Sequence, residues 1–171
     1  MTINNPKILY IFSFLTVALS SGLVYGYPHL RTILYNEGST LTESQLGLIF
    51  TVGSWTECTW FFTGMARDKF GSRNVACISL LFSLIGIIGL SYSHVNDLVM
   101  LVISYFFVGL GSGGMLCFQP VANLFTKKWQ GTILASLSGA FQISGLVFYV
   151  LKETTLDTFQ LYYFVLLWGH F

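Results

Sequence analysis

The sequence predicts an all-α integral membrane protein of five complete transmembrane helices and a truncated sixth. Three observations carry this. The chain is 54% hydrophobic and only 9% charged, against roughly 25% charged residues in soluble domains. Its apolar residues fall into long uncharged runs rather than short alternating ones. The charges between those runs segregate by sign and by side, as they do around membrane spans. A formal net charge of +1 and a pI near 7.7, with no dense basic patch, exclude general nucleic-acid binding.

The first span is placed at residues 8–27, twenty residues without a charge. At about 1.5 Å per residue this crosses a hydrocarbon core of about 30 Å. A cleaved signal peptide is the rival reading, because Lys7 precedes the run and Ala18-Leu19-Ser20 resembles a cleavage site, but the run is longer than the usual apolar core of such a peptide. Ser13, Thr16, Ser20 and Tyr27 fall near one face, which either turns polar groups toward other helices or leaves hydroxyls bonded to their own backbone. Pro28 is expected to end this helix. Residues 28–45 then read as a polar connection in which Thr42 or Ser44 caps the next helix.

The second span, residues 46–65, holds Glu57, the one carboxylate expected deep in the bilayer. Heptad spacing puts Gly53, Glu57, Trp60 and Gly64 on one stripe, turned inward, with Phe and Ile toward lipid. An ionised acid at that depth costs several kcal/mol unless paired or hydrated. Glu57 is therefore a candidate for solute contact or proton coupling. The plainer alternative is a carboxyl hydrogen-bonded to a neighbouring helix.

The third span, residues 74–92, carries Ser79, Ser83 and Gly86 as a small-residue stripe for close packing. A turn containing His94 and Asp97 follows. The fourth span, residues 98–118, is softened by Gly109, Gly111, Gly113 and Gly114 and kinked by Pro120, with Gln119 facing either a cavity or a neighbouring helix. Lys127, Lys128 and Trp129 mark a basic interface. In the fifth span, residues 131–151, Gly131, Ser138, Gln142, Gly145 and Tyr149 share one face, readable as a cavity lining or as a glycine packing seam. Residues 159–171 are apolar but reach only about 20 Å, so the chain is expected to stop inside a sixth span. Cys58, Cys77 and Cys117 lie in apolar runs and read as small hydrophobes rather than disulfide partners.

Six of the eight Lys and Arg residues fall on the side of the N-terminus and five of the seven acids on the other. The positive-inside rule then puts the N-terminus in the cytoplasm. On that side stands a charged hinge between spans two and three, residues 64–74, with four formal charges between Arg67 and Arg73.

The hinge pattern Gly-x-x-x-Asp-Lys-x-Gly-x-Arg resembles the signature of the major facilitator superfamily of transporters, with Ser72 where that signature has a basic residue. The resemblance implies a cytoplasmic gate at Gly64, Asp68, Lys69, Gly71 and Arg73; the plainer reading is a loop whose cations fix topology. Tyr35-Asn36-Glu37, Leu48 to Ser54, Asn123-Leu124-Phe125 and Gly139-Ala140-Phe141 are similar to a solute-carrier branch that includes large neutral amino acid transporters and an equilibrative nucleobase transporter. That likeness implies a twelve-helix fold of which residues 1–171 are the N-terminal half, a missing C-terminal half or second bundle as partner, and transport of a small organic solute by alternating access. Glu57 stands where that branch has a neutral polar residue, so its role is not carried over.

Combining both lines, Ser20, Glu57, Gln119, Gln142 and Tyr149 are the expected solute contacts. The lipid bilayer, most simply the plasma membrane, is the expected setting. No metal or cofactor fingerprint and no catalytic set is found, so no enzyme is expected. A second function remains open: a non-transporting membrane protein that associates with, or regulates, another through its glycine stripes.

Overall fold

The computed structural model describes residues 5–146 and residue 149. Helix α1 (Pro6–Ser20) is followed by a 3-10 turn (Leu23–Gly26) and α2 (Tyr27–Asn36). A second helical run is made of α3 (Glu43–Trp55), a 3-10 turn (Thr56–Thr59) and α4 (Trp60–Phe70). Then come α5 (Ser72–Tyr92), α6 (Leu98–Ser112), the short α7 (Met115–Phe118), a 3-10 stretch (Gln119–Leu124) and α8 (Lys127–Ile143). The described chain is all-helical.

Two stretches are long and apolar enough to cross a membrane, Ser72–Tyr92 and Leu98–Leu124; Pro6–Ser20 with Leu23–Asn36 makes a third if this pair, bent by 41°, is one span. The expectation of five complete spans is reduced accordingly. The run from Glu43 to Phe70 has the length but carries Glu57, Ser54 and the hydroxyls of Thr51, Thr56, Thr59 and Thr63 where a span would be apolar. The fifth expected span is described only as far as Leu146, apart from Tyr149, and the partial sixth at 159–171 lies outside the described residues.

Local rules explain the other departures. Pro28 does not end a helix: it sits in the first turn of α2, where its missing N–H is no loss. Thr42 caps α3 through a reciprocal box, its hydroxyl accepting from Gln45 N–H while the Gln45 side chain accepts from Thr42 N–H at 2.8 Å. The hinge is far shorter than expected, because α4 stays helical through Gly64 and Asp68 to Phe70. Gly71 alone interrupts, at φ +86°, with its N–H closing on Arg67 O at 2.9 Å. Arg67 and Lys69 lie in the last turn of α4, where cations meet the negative end of the helix dipole.

The α5–α6 pair is held by small residues, as the Ser79–Ser83–Gly86 stripe predicts. A Cβ on Gly86 would lie 2.6 Å from the backbone N of Val108, and one on Gly111 would lie 2.0 Å from Ser83 Oγ and 2.6 Å from its backbone N. One apolar core gathers Leu23, Tyr27, Leu46, Ile49, Ile87 and Tyr105 around the α2–α3–α6 side; a second gathers Val17, Met115, Leu137 and Phe141 between α1, α7 and α8. Ile49 is thus fully buried rather than turned outward, whereas Phe61 and Phe62 are exposed as expected.

The two ends of the bundle are separately tied. Ser39 Oγ donates to Val95 O at 3.0 Å and Thr40 N–H to Asn96 Oδ1 at 2.8 Å, joining the segment after α2 to the α5–α6 turn. At the other end Tyr10 and Ser136 share a hydrogen bond of 2.8 Å, and the Tyr10 ring meets Phe125 edge-on. Near the first end Glu43 accepts hydrogen bonds from Tyr35 Oη and Arg31 Nη2. The Tyr35 bond first, and Arg31 second, hold the Glu43 carboxyl below its ordinary value.

Two outcomes follow for unfolding in detergent. Gly111→Ala should destabilise by about 1–3 kcal/mol through overpacking, whereas Gly139→Ala on α8, with nothing within 4 Å of the new Cβ, should be neutral or gain a few tenths; equal effects would contradict the packing described. Because Glu43 has a depressed folded-state pKa, its pairing stabilises above the ordinary 4.5 and is lost as pH falls through the lower folded value. Glu43→Gln should therefore flatten the acid limb of a melting-temperature profile slightly, the pair being solvent-exposed.

Candidate functional site

Glu57 lies in the 3-10 turn at the middle of the second helical run, fourteen residues after Glu43 and thirteen before Phe70. The break has a local cause. Thr56 Oγ1 donates to Gly53 O and Thr59 Oγ1 to Thr56 O, each at 2.5 Å, and such back-bonding bends a helix. Thr56 is buried against Gly109 of α6, where a Cβ would come within 2.0 Å of Thr56 Oγ1 and 2.5 Å of Gly53 O. The turn is therefore fixed on its inner side by a glycine contact, and the next residue, Glu57, is left half-buried on another side.

The Tyr25 hydroxyl, on the 3-10 turn after α1, lies near enough to Glu57 to be influenced by its charge. Tyr25 is 41% exposed, so this pair is reachable from outside the bundle. Its ring stands edge-to-face on Phe141 of α8 at 5.5 Å between centroids, and Trp60 meets the same Phe141 at 5.4 Å from the opposite helical run. Trp60 is itself oriented by a 3.1 Å bond from Nε1 to Ser112 Oγ on α6. Phe141 is buried at 4% exposure and closes the floor between α1, α4 and α8. Four residues after Tyr25, His29 stacks edge-on against Tyr149 at 5.2 Å.

The expected site residues divide accordingly. Glu57 and Tyr149 each join a cluster with the α1–α2 segment, the first through Tyr25 and the second through His29. Gln142 and Ser138 are exposed on α8, opposite its buried face of Ile133, Leu137, Ala140 and Phe141, and the Gln142 amide makes no hydrogen bond among the described residues. Gln119 is half-buried on the 3-10 stretch and is likewise unbonded there. Ser20 is placed elsewhere: it is 1% exposed and donates to Thr16 O at 2.6 Å, the backbone alternative raised for that face. Gly145 is buried against the Tyr25 backbone, with 3.3 Å from its virtual Cβ to Tyr25 C, and acts in packing.

Tyr25, His29 and Phe141 are the members that inspection of the sequence leaves out. Their partners come from three separate helices, and no spacing within one helix reveals such a contact. An apolar groove of about 320 Å³ between α4 and α5, lined by residues including Thr59, Phe62, Phe70, Ile78 and Phe82, starts at the same 3-10 turn but does not include Glu57.

The expected gate residues surround a different feature. Asp68 is exposed and accepts from Arg67 Nε and Nη2 at 3.0 and 2.9 Å. Arg67 also donates through Nη1 to Leu116 O at 3.0 Å. That carbonyl is the one whose helical i+4 donor would be residue 120, a proline without an N–H. Arg67 thus ties the end of α4 to the break between α6 and the 3-10 stretch. Lys69 and Arg73 flank Gly71 and are exposed, and a Cβ on Gly64 or Gly71 would meet nothing within 4 Å.

No family model, curated protein or solved structure matches the chain.

Arg67→Ala should lower unfolding stability by about 1.5–3 kcal/mol, the range for hydrogen bonds from a charged donor. In a Pro120→Ala background the loss should shrink, since residue 120 then supplies its own N–H; an undiminished loss would contradict the orphan-carbonyl account.

Proposed function

We propose that the chain forms the N-terminal bundle of a facilitator-type transporter, in which it moves a small organic solute across a membrane by alternating access. Such transport uses two bundles that rock about a site near the midplane. The observation that carries this reading is the half-buried Glu57 at the midpoint of an otherwise membrane-length helical run, on a helix break beside Tyr25 and a three-ring aromatic wall. A carboxylate at such depth is retained where it serves a solute or ion path.

The hinge around Asp68, Lys69, Gly71 and Arg73 supports the same assignment through its resemblance to the facilitator signature. On this reading the end of the bundle bearing the N-terminus and Gly71 faces the cytoplasm, and the partner is a second bundle, supplied by a C-terminal half or a second copy. The expected spans beyond those long and apolar enough on their own, including residues 46–65 and 131–151, are completed in that assembly. A neutral amino acid or a nucleobase is the solute class, the plasma membrane is the setting, and catalysis plays no part.

The test is uptake of labelled neutral amino acids and nucleobases by cells expressing the chain, with and without a co-expressed facilitator C-terminal bundle. Saturable uptake that falls at least about tenfold in Glu57→Gln at equal surface abundance is the expected result. Uptake indistinguishable from that of untransfected cells under both conditions would overturn the proposal.

A further inference from the structure

Resting on the site reading above, we infer that the solute held at Glu57 carries an ammonium group, with Tyr25 and Trp60, both packed on the buried Phe141, as the aromatic part of its cage. The inference comes from what the carboxylate does and does not meet. The described ion pairs are Arg31–Glu43 and Arg67–Asp68, and neither involves Glu57. Every other described cation lies at a helix end: Lys7 in the first turn of α1, Lys69 and Arg73 on either side of Gly71, Lys127 and Lys128 at the start of α8. Along its own helical run Glu57 is ten residues from Arg67, about 15 Å at helical rise. Among the described residues the site therefore has a negative group and no lysine or arginine.

That asymmetry selects among solutes. A carboxylate or phosphate would meet repulsion with no compensating lysine or arginine among the described residues. A neutral base would leave the carboxylate unpaired at a depth where such a charge is costly. An ammonium group pairs with Glu57 and also gains from the rings, whose π-faces attract cations within about 6 Å. Tyr25 and Trp60 each stand within 5.5 Å of Phe141 by ring centroid, at interplanar angles of 78° and 83°, so the wall presents ring faces in more than one direction. Trp60 lies three residues after Glu57, one turn along the same helical run, and the Tyr25 hydroxyl is close enough to Glu57 to feel its charge. An amino acid satisfies this site through its α-ammonium group, and an organic amine satisfies it fully; a nucleobase does not.

The experiment uses the whole 171-residue chain in detergent, titrated with choline and with its uncharged isostere 3,3-dimethyl-1-butanol, following tryptophan fluorescence. Choline should bind at least about tenfold more tightly than the isostere. Trp60→Phe should remove most of the signal, and Glu57→Gln should abolish the preference. The comparison of the two probes on the unmodified chain does not depend on how either variant folds. Equal binding of both probes would overturn the inference. If adenine then still bound in a Glu57-dependent way, the ammonium assignment would fall while the site stood. If no probe, amino acid or base changed the fluorescence, both would fall.

Discussion

The close approach of α6 to its neighbours at Gly86, Gly109 and Gly111 is the constraint on which the rest of the bundle depends. A side chain at any of these positions would collide with backbone: Val108 N, Gly53 O, or Ser83 N and Ser79 O. In a bilayer, helix association draws on packing and interhelical hydrogen bonds rather than on water exclusion, so small residues that let backbones approach decide which helices pair. Here they draw α5 and the Glu43–Phe70 run onto α6 together. The contact at Gly109 lands on Thr56, which places the 3-10 break, and the break places Glu57.

A second set of constraints organises the other half of the site. Phe141 is buried between Val17, Met115 and Leu137, which locks α8 to α1 and α7. From that fixed position its ring receives both Tyr25 and Trp60. The Glu57 carboxylate, the aromatic wall and the break in the helix are therefore consequences of packing at two separate seams. The Pro120 break in the fourth apolar stretch is handled differently, by a guanidinium from the end of α4 that takes up the carbonyl which proline leaves without its usual donor.

Much of this was legible in the residues. The all-helical class follows from the uncharged runs, the α5–α6 seam from Ser79, Ser83 and Gly86, the Thr42 cap from its spacing to Gln45, and the special position of Glu57 from its being the one acid inside an apolar run. Other features were hidden because they depend on what lies across a helix boundary. Gly64 and Asp68 read as loop because glycine and charge cluster there, yet about three consecutive helical turns carry the chain from Trp60 to Phe70 before one positive-φ glycine ends it. Ser20 read as a site residue because its face is polar, but a serine in a helix can satisfy itself on the carbonyl four residues back. Tyr25 and His29 fell beside a proline taken as a helix end, and their partners Glu57 and Tyr149 are distant in sequence.

On the proposed reading, Glu57 in its 3-10 turn and Ser138 and Gln142 on α8 all border water rather than lipid. Accessibility of single cysteines to a charged, membrane-impermeant thiol reagent tests it most directly, in a background where Cys58, Cys77 and Cys117 are replaced by serine or alanine. Cysteines at 57, 138 and 142 should react readily in intact membranes, while those at the exposed α5 positions 78, 81 and 85 should not. Labelling at 78, 81 and 85 with protection at 57, 138 and 142 would contradict the claim, because it would turn the polar positions to the hydrocarbon and the apolar ones to water.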